Sequence, residues 1–563
     1  MKRYVVILAA SVLLASCAAT VPEPTASEPA EFYGTLEPFA SEAVYFLLTD
    51  RFVDGDPDNN FPDQGGEQNG TFDRPIQLAG SPPGNIGYLG GDFKGVLDNA
   101  GYITDMGFTA IWTTPIVDNP DEAFTGGIRP GEGFGADRGK TGYHGYWGVN
   151  FFEVDEHLES DGLNFAEFTR TLHDDFGIKY ILDVVCNHGS PAYTMPEDQP
   201  KYGELYDASG ALVADHQNLH PNDLDPDNPL HAFYNTSPDL AELSDMNENN
   251  PDVLEYFVAA YTQWLGQGVA AFRVDTVKHM PHSFWKVFTD RMRDVRPGLF
   301  MFAESFSFDA KQIAEHTYPE NGAISVLDFP GRAAMTSVFG DGGSYAELES
   351  YLHLESGVYQ NPYDLMTFYD NHDMTRIDAD ENGFINAHNW LFTSRGIPVV
   401  YYGSEIGFRA GLDQHEGNRD YFGQENIEAA KTHRIHSALT RIANIRKASV
   451  ALQRGLQVYT GFGQRSASFF RVYQKNGEAQ TALVLLNGGD DPLTMKFGQL
   501  PANGTWTDAV TGHEIQVDED FAGLEEEIAP NGVRVYLTDA PISDPRFVNL
   551  LNRMQANARR KMP

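Results

Sequence analysis

The sequence predicts an α/β protein: an eight-stranded parallel (β/α)8 TIM barrel, with a domain inserted after the third strand and a C-terminal antiparallel β-sandwich. Three observations predict it. Short apolar runs rich in β-branched and aromatic residues recur along the chain, each hydrophobic throughout, as strands covered on both faces should be. Segments with helical periodicity separate them, which is the pattern of parallel β/α units. Beyond about residue 446 the pattern changes to strand-like runs separated by Gly and Asn turns.

The elements follow in order. Lys2 and Arg3 precede an apolar run over residues 4–15, which reads as a signal peptide (residues 1–16) and is too short for a membrane span. Its end, Leu14-Ala15-Ser16-Cys17, resembles the bacterial lipobox, which implies lipidation at Cys17; a plain secretory signal cut nearby is the alternative. Ala18 resembles the residue that follows the Cys in signals for the outer membrane of Gram-negative-type bacteria, so an exported, lipid-anchored protein is expected. Residues 17–40, rich in Pro, Ala, Ser, Thr and Glu, read as a tether, with the folded part starting near Ala43.

Eight runs then supply the barrel: "AVYFLLTDRF" from 43, "FTAIWTTP" from 108, "KYILDVVCNH" from 179, "AAFRVD" from 270, "LFMFAES" from 299, "AISVLDF" from 323, "LMTFYDNHD" from 365 and "IPVVYYGSE" from 397. The barrel occupies 41–188 and 251–446. Residues 189–250, rich in Pro, Asn, Asp and Tyr with little periodicity, form the insertion. The sandwich covers 447–541, from "LQVYTGFG", "ASFFRVYQ", "TALVLLNG" and "GVRVYLTD", and 542–563 read as a basic helical tail.

Charge and cysteine content narrow the function. Lys and Arg number 39 against 80 Asp and Glu, a formal charge of −41, which opposes binding to phosphate backbones and excludes nucleic acid as a partner. Aromatics make up 12% of the chain, enough to provide stacking surfaces. Cys186 is the one cysteine besides Cys17, so no disulfide joins two core cysteines, and bound calcium is one other route to stability in an exported protein. A monomer is expected.

The polar strand ends carry the chemistry. Asp183, Asn187 and His188 follow strand 3, Arg273 and Asp275 lie on strand 4, Glu304 on strand 5, and His372 and Asp373 on strand 7. A parallel barrel brings all of them to one mouth. Retaining glycosidic cleavage needs two carboxyl groups about 5–5.5 Å apart, and neighbouring strands lie about 4.8 Å apart, so Asp275 and Glu304 suit it. Arg273, two residues before Asp275 on the same face, would keep the aspartate ionised as nucleophile. Glu304, with like charges nearby, would stay protonated as the acid, and Asp373 would orient hydroxyls and strengthen in the transition state.

"DVVCNH", "FRVDTVKH", "AES" and "FYDNHD", in that order near strand ends, resemble the motif regions of the α-amylase family, glycoside hydrolase family 13. The resemblance covers about 43–540 and implies Asp275 as nucleophile, Glu304 as general acid/base and Asp373 as transition-state stabiliser, acting on an α-glucan. It further implies that His144, Tyr146 and Trp147 of "YHGYW" line the central sugar subsite, with His188, Arg273 and His372 around them. Lys278 and His279 resemble a glucan-binding pair on the leaving-group side; Asp413 and Arg419 resemble contacts to distal sugars, with departing spacing. "DRFVDGDPDNN" resembles a calcium loop of cyclodextrin glucanotransferases, with Asp54, Asp56, Asn59, Asn60, Gly90 and Asp92 as ligands. A second Ca2+ site would join Asn187, Asp245 and the carbonyl of His279. A merely acidic turn is the alternative at the loop.

The motifs fit both hydrolysis and glycosyl transfer. Glucanotransferases carry an aromatic residue four positions before the domain B calcium aspartate, where this chain has Ala241, and they carry further C-terminal domains. Both departures favour hydrolysis. A non-catalytic relative should lack one of the three carboxylates, and all are present.

Overall fold

The computed structural model describes residues 30–78, 83–133, 136–409 and 418–559; the signal peptide, Cys17 and Asp413 lie outside them. All eight apolar runs form strands: β1 (Val44–Leu47), β2 (Ala110–Thr113), β3 (Lys179–Val184), β4 (Ala271–Val274), β5 (Phe300–Ala303), β6 (Ser325–Val326), β7 (Met366–Thr367) and β8 (Ile397–Tyr401). They pair in parallel in the order β6-β5-β4-β3-β2-β1-β8-β7. A parallel bridge between Leu327 and Met366, with the Asp328 N–H donating to the Met366 carbonyl at 2.9 Å, brings the two edges together.

Helices wrap the barrel because their sequences carry both a start and an apolar face. In α1 (Phe165–Phe176), Asn164 caps the first turn by accepting from the Glu167 N–H at 2.9 Å, and Gly177, at φ 67°, ends the helix in the left-handed conformation. α2 (Pro251–Gly266) starts with proline after the cap Asn250 and buries Phe257, Tyr261 and Trp264 against the barrel. Phe165 and Trp264 meet edge to face at 5.4 Å, so α1 and α2 pack through one aromatic layer.

The inserted domain draws on more chain than residues 189–250. Its four-stranded sheet combines Glu204–Tyr206 and Leu212–Asp215 with Asn150–Val154 and Val117–Asp118, which precede β3. An isolated hairpin is marginal in water, so the 204–215 pair gains its stability by adding to strands from the loop after β2. A two-stranded antiparallel ladder, His188–Pro191 with Leu243–Asp245, ties the two ends of the insertion together at the end of β3.

The C-terminal strands are antiparallel, in one six-stranded and one two-stranded sheet, with Trp506 fully buried. The packed chain begins earlier than Ala43. Phe32 is fully buried and exchanges backbone hydrogen bonds of 2.8 and 2.6 Å with Gln474, so the tether expectation fails for residues 30–40: aromatic anchors override the Pro/Glu composition. The tail is helical as expected, over Pro545–Arg559, but it is docked rather than free: Leu551 and Met554 are buried and Phe547 meets Phe470 at 5.2 Å. Among the described residues no helix is long and apolar enough to cross a membrane.

Candidate active site

Strand register assembles the centre of the site. Arg273 on β4 lies opposite Asp183 on β3, and Val274 lies opposite Ala303 on β5, so Asp275 and Glu304 emerge side by side from adjacent strands. Both remain in the ladder: the Asp275 N–H donates to the Val184 carbonyl at 2.9 Å and the Glu304 N–H to the Val274 carbonyl at 2.8 Å. The fully buried Arg273 guanidinium then touches three carboxylates. Its Nη1 donates to Asp183 Oδ1 at 2.8 Å and to Asp275 Oδ1 at 2.5 Å, while Nη2 lies 3.0 Å from Glu304 Oε2.

One cation among three buried acids cannot hold all of them ionised at equal ease. Burial raises the Glu304 pKa to about 8, with Arg273 opposing the rise and Asp373 and Asp275 adding to it. Asp183 is pushed to about 7 by burial against the pull of Arg273, and its Oδ2 accepts from Trp112 Nε1 at 3.1 Å and Tyr146 Oη at 2.9 Å. Asp183 therefore anchors the arginine while Asp275, on the open side, faces the cleft. The sequence signal for this anchor was present in "DVVCNH", but only the register pairs it with Arg273.

The β7 end completes the mouth. Asp373 Oδ1 accepts from Arg419 Nη2 at 2.8 Å and its Oδ2 lies 3.3 Å from His372 Nε2. Tyr146 stacks on His372 with ring centroids 5.3 Å apart and 14° between planes. Arg419 is not at a distal position: its Nε also donates to the His372 carbonyl at 3.0 Å, so it braces the β7 residues at the centre. Trp147 is likewise displaced from the sugar-contact expectation, being buried with Phe124, Met195 and Tyr202. His144 is buried beside Tyr146, accepting its N–H at 3.1 Å on Nδ1. His188 is buried under the cleft, and burial lowers its pKa, so it stays a neutral imidazole.

Lys278 and His279 lie outward of this cluster. Lys278 Nζ donates to the Phe306 carbonyl at 3.0 Å and sits 5.8 Å from that ring, which is 41% exposed two residues beyond Glu304. No sequence motif pointed to Phe306.

The candidate calcium ligands do converge. Three buried oxygens, Asp54 Oδ1, Asn59 Oδ1 and Asn60 Oδ1, have no hydrogen-bond partner. A Cβ on Gly90 would lie 2.3 Å from Asn60 Oδ1 and 2.9 Å from Asp54 Oδ2, so only glycine, here at φ 91°, lets the loop close on them. Asp92 accepts the Asp56 N–H at 2.7 Å and is raised to about 6 by burial, with the Asp54 charge adding to the rise. Hard, orphaned, buried oxygens gathered in one loop are the donor type that Ca2+ takes. Near the expected second site, Asn187 Nδ2 and His279 Nδ1 both reach Asp239 Oδ2, at 3.4 and 2.9 Å, while Asp245 Oδ2 accepts from Asn235 at 2.8 Å. A separate acidic group, Asp118 and Asp121, already encloses the Lys201 ammonium at 3.3 and 3.1 Å.

With this geometry in view, the comparisons with known proteins are decisive for the family. Residues 46–477 match the family model of the alpha amylase catalytic domain. The chain belongs to the α-amylase family. It is 30% identical over 546 residues to an alpha-amylase of Niallia circulans, covering 92% of this chain and 95% of the relative. It is 29% identical over 543 residues to a cyclomaltodextrin glucanotransferase of Klebsiella oxytoca, covering 87% and 76%. Among solved structures, a cyclomaltodextrin glucanotransferase described as the first with a three-domain ABC distribution matches with a TM-score of 0.71 at 27% identity, over 89% of this chain and 99% of that one. That similarity removes one argument for hydrolysis, since the absence of further C-terminal domains does not separate glucanotransferases from amylases. This member of the α-amylase family is thus an amylase-type glycoside hydrolase enzyme by family, and amylase and glucanotransferase chemistry both fit it.

Proposed function

We propose that this α-amylase family member is a retaining hydrolase of α-1,4-glucosidic bonds in starch, glycogen or maltooligosaccharides. The observation that carries the reading is Arg273, whose two terminal nitrogens reach Asp275 and Glu304 from adjacent strands and so hold a nucleophile and an acid side by side. An Asp275 oxygen attacks the anomeric carbon as the bond to the leaving sugar breaks, and the Glu304 proton passes to the leaving oxygen. A water then gives a proton to the Glu304 carboxylate as its oxygen bonds to the anomeric carbon, releasing Asp275 with retained configuration. Asp373, braced by Arg419 and His372, stabilises the positive charge that develops at the anomeric carbon.

Ala241 supports hydrolysis over transfer, because a methyl group replaces an aromatic platform and leaves room for water; its carbonyl accepts from Tyr193 Oη at 2.7 Å. The relatives named as glucanotransferases favour the second reading, transfer to a sugar acceptor. Product analysis on amylose separates the two: linear maltooligosaccharides are expected, and cyclic products would sink the hydrolase reading. Soluble starch is expected to be cleaved by the wild type and about 10³-fold or more slower by Asp275→Asn, a loss of about 4 kcal/mol in transition-state stabilisation; equal reducing-sugar release by both would sink the catalytic assignment.

Calcium would be held by Asp54, Asp56, Asn59, Asn60 and Asp92 with the Gly90 backbone, and at a second position by Asn187, Asp245 and the His279 carbonyl, with Asp239 nearby. Bound there, it rigidifies the loops that frame the cleft. The chain is further proposed to be exported and anchored through lipidated Cys17 at the outer membrane, and to act as a monomer. Incorporation of labelled fatty acid that is lost in Cys17→Ala tests the anchor, and equilibrium sedimentation tests the monomer.

A further inference from the structure

We propose that the leaving-group side of the cleft continues over Phe308 into a second groove, which binds the distal reducing-end part of a long α-glucan; the proposal rests on the α-glucan reading above. Glu304 donates its proton to the leaving sugar, so the leaving chain runs off on the Glu304 side of the mouth. Phe306 and Phe308 follow Glu304 by two and four residues, and an extended chain of that length reaches at most about 14 Å. Both rings are exposed, at 41% and 47%, and lie 6.0 Å apart at 78°.

These rings are not loose. Each packs on the fully buried Phe329, at 5.1 and 6.0 Å, and Phe329 in turn meets Phe368 edge to face at 5.2 Å. A pair of exposed aromatics braced from below is a hydrophobic platform that water covers at a cost, and such patches mark binding surfaces.

Beyond Phe308 lies a groove of about 420 Å³, within the size range of small-ligand sites. One wall is the helix Phe329–Met335, where Ala333 and Ala334 leave the floor open. The other is the segment Glu349–Leu352 and His353, with Tyr351, Ser350 and His353 facing the groove. The fully buried Arg395 ties the walls together: Nη1 pairs with Asp328, the cap of the first helix, at 2.6 Å, and Nη2 and Nε donate to the Tyr351 and Leu352 carbonyls at 2.5 and 3.1 Å. His353 ends the second wall in the left-handed conformation, φ 48°, a costly position for a residue other than glycine.

The lining selects its ligand by chemistry. It offers apolar surface, an aromatic ring, a hydroxyl and an imidazole whose pKa is lowered by burial, with Glu347 as the charged side chain among them. Glu347, the lining carboxylate, is engaged by the Ser337 hydroxyl at 2.7 Å and the Ser344 N–H at 3.0 Å. A neutral, hydroxyl-rich chain with apolar ring faces fits; a phosphate or an acidic peptide does not.

The test compares long amylose with maltotetraose, which is too short to occupy both the cleft and the groove. Phe308→Ala removes the platform, and Ala333→Trp, at an exposed position, fills the groove without touching the core. Each variant is expected to lower kcat/KM on long amylose about ten-fold while maltotetraose changes less than two-fold. Equal losses on both substrates, or no loss on amylose, would overturn the proposal. A wild type inactive on every α-glucan would overturn it together with the reading on which it rests.

Discussion

Arg273 shows how much one side chain can organise. Buried and always charged, it pairs with Asp275 at 2.5 Å and lies 3.0 Å from Glu304, whose burial raises it to about 8 and leaves it protonated at neutral pH. The sign of the pH effect follows: below about 8 Glu304 carries the proton it must donate, and as pH rises through that value the acid step fails. The alkaline limb of kcat should therefore fall near pH 8, and Glu304→Gln should lower kcat by about 10²–10⁴-fold and abolish that limb. A profile in which the limb persists in the variant would assign the titration elsewhere. Arg419 holds Asp373 through a charge-assisted bond of 2.8 Å. Arg419→Ala should lower kcat/KM by about 10–100-fold, the equivalent of about 1.5–3 kcal/mol. Arg419→Lys should recover only part of it, since an ammonium lacks the fork that also reaches the His372 carbonyl. Full recovery in the lysine variant would show that charge alone suffices.

At the scale of elements, the readable parts were those whose neighbours are dictated by the chain itself. Eight predominantly apolar runs read as strands buried on both faces, and all eight form the parallel sheet. The loop proposed to hold calcium is equally local, since Asp54, Asn59 and Asn60 bring its unpartnered oxygens together within one short stretch. Its closure depends on Gly90, so Gly90→Ala should cost about 1–3 kcal/mol and erase calcium dependence at this loop. Melting temperatures with and without chelator measure this: the gap seen in the wild type should shrink in the variant, and an unchanged gap would place the stabilising ion elsewhere. The inserted domain was legible only in part. Its sheet takes Val117–Asp118 and Asn150–Val154 from ahead of β3, and composition cannot show which strands pair across 50 or more residues.

For the molecule as a whole, the ends of the folded chain are joined. Segment 30–37 crosses the sandwich edge to meet the last helix, where the Tyr33 N–H donates to Gln555 Oε1 at 3.0 Å. Phe32→Ala should remove about 3–5 kcal/mol from the sandwich and lower its melting temperature by several degrees, with activity of the folded enzyme retained. No change in calorimetry would mean the segment is an appendage. Sequence alone determined the barrel, its polar strand ends and the carboxylates gathered there, because apolar strand patterns and side-chain chemistry are properties of short stretches. The tertiary structure decided that Arg419 braces Asp373, that Trp147 is packed with Phe124, Met195 and Tyr202, that Asp239 pairs with Asn187 and His279, and that residues 30–40 are packed. Each depends on which distant segment arrives at a given point, and that is set by the summed packing of the whole chain rather than by any local pattern.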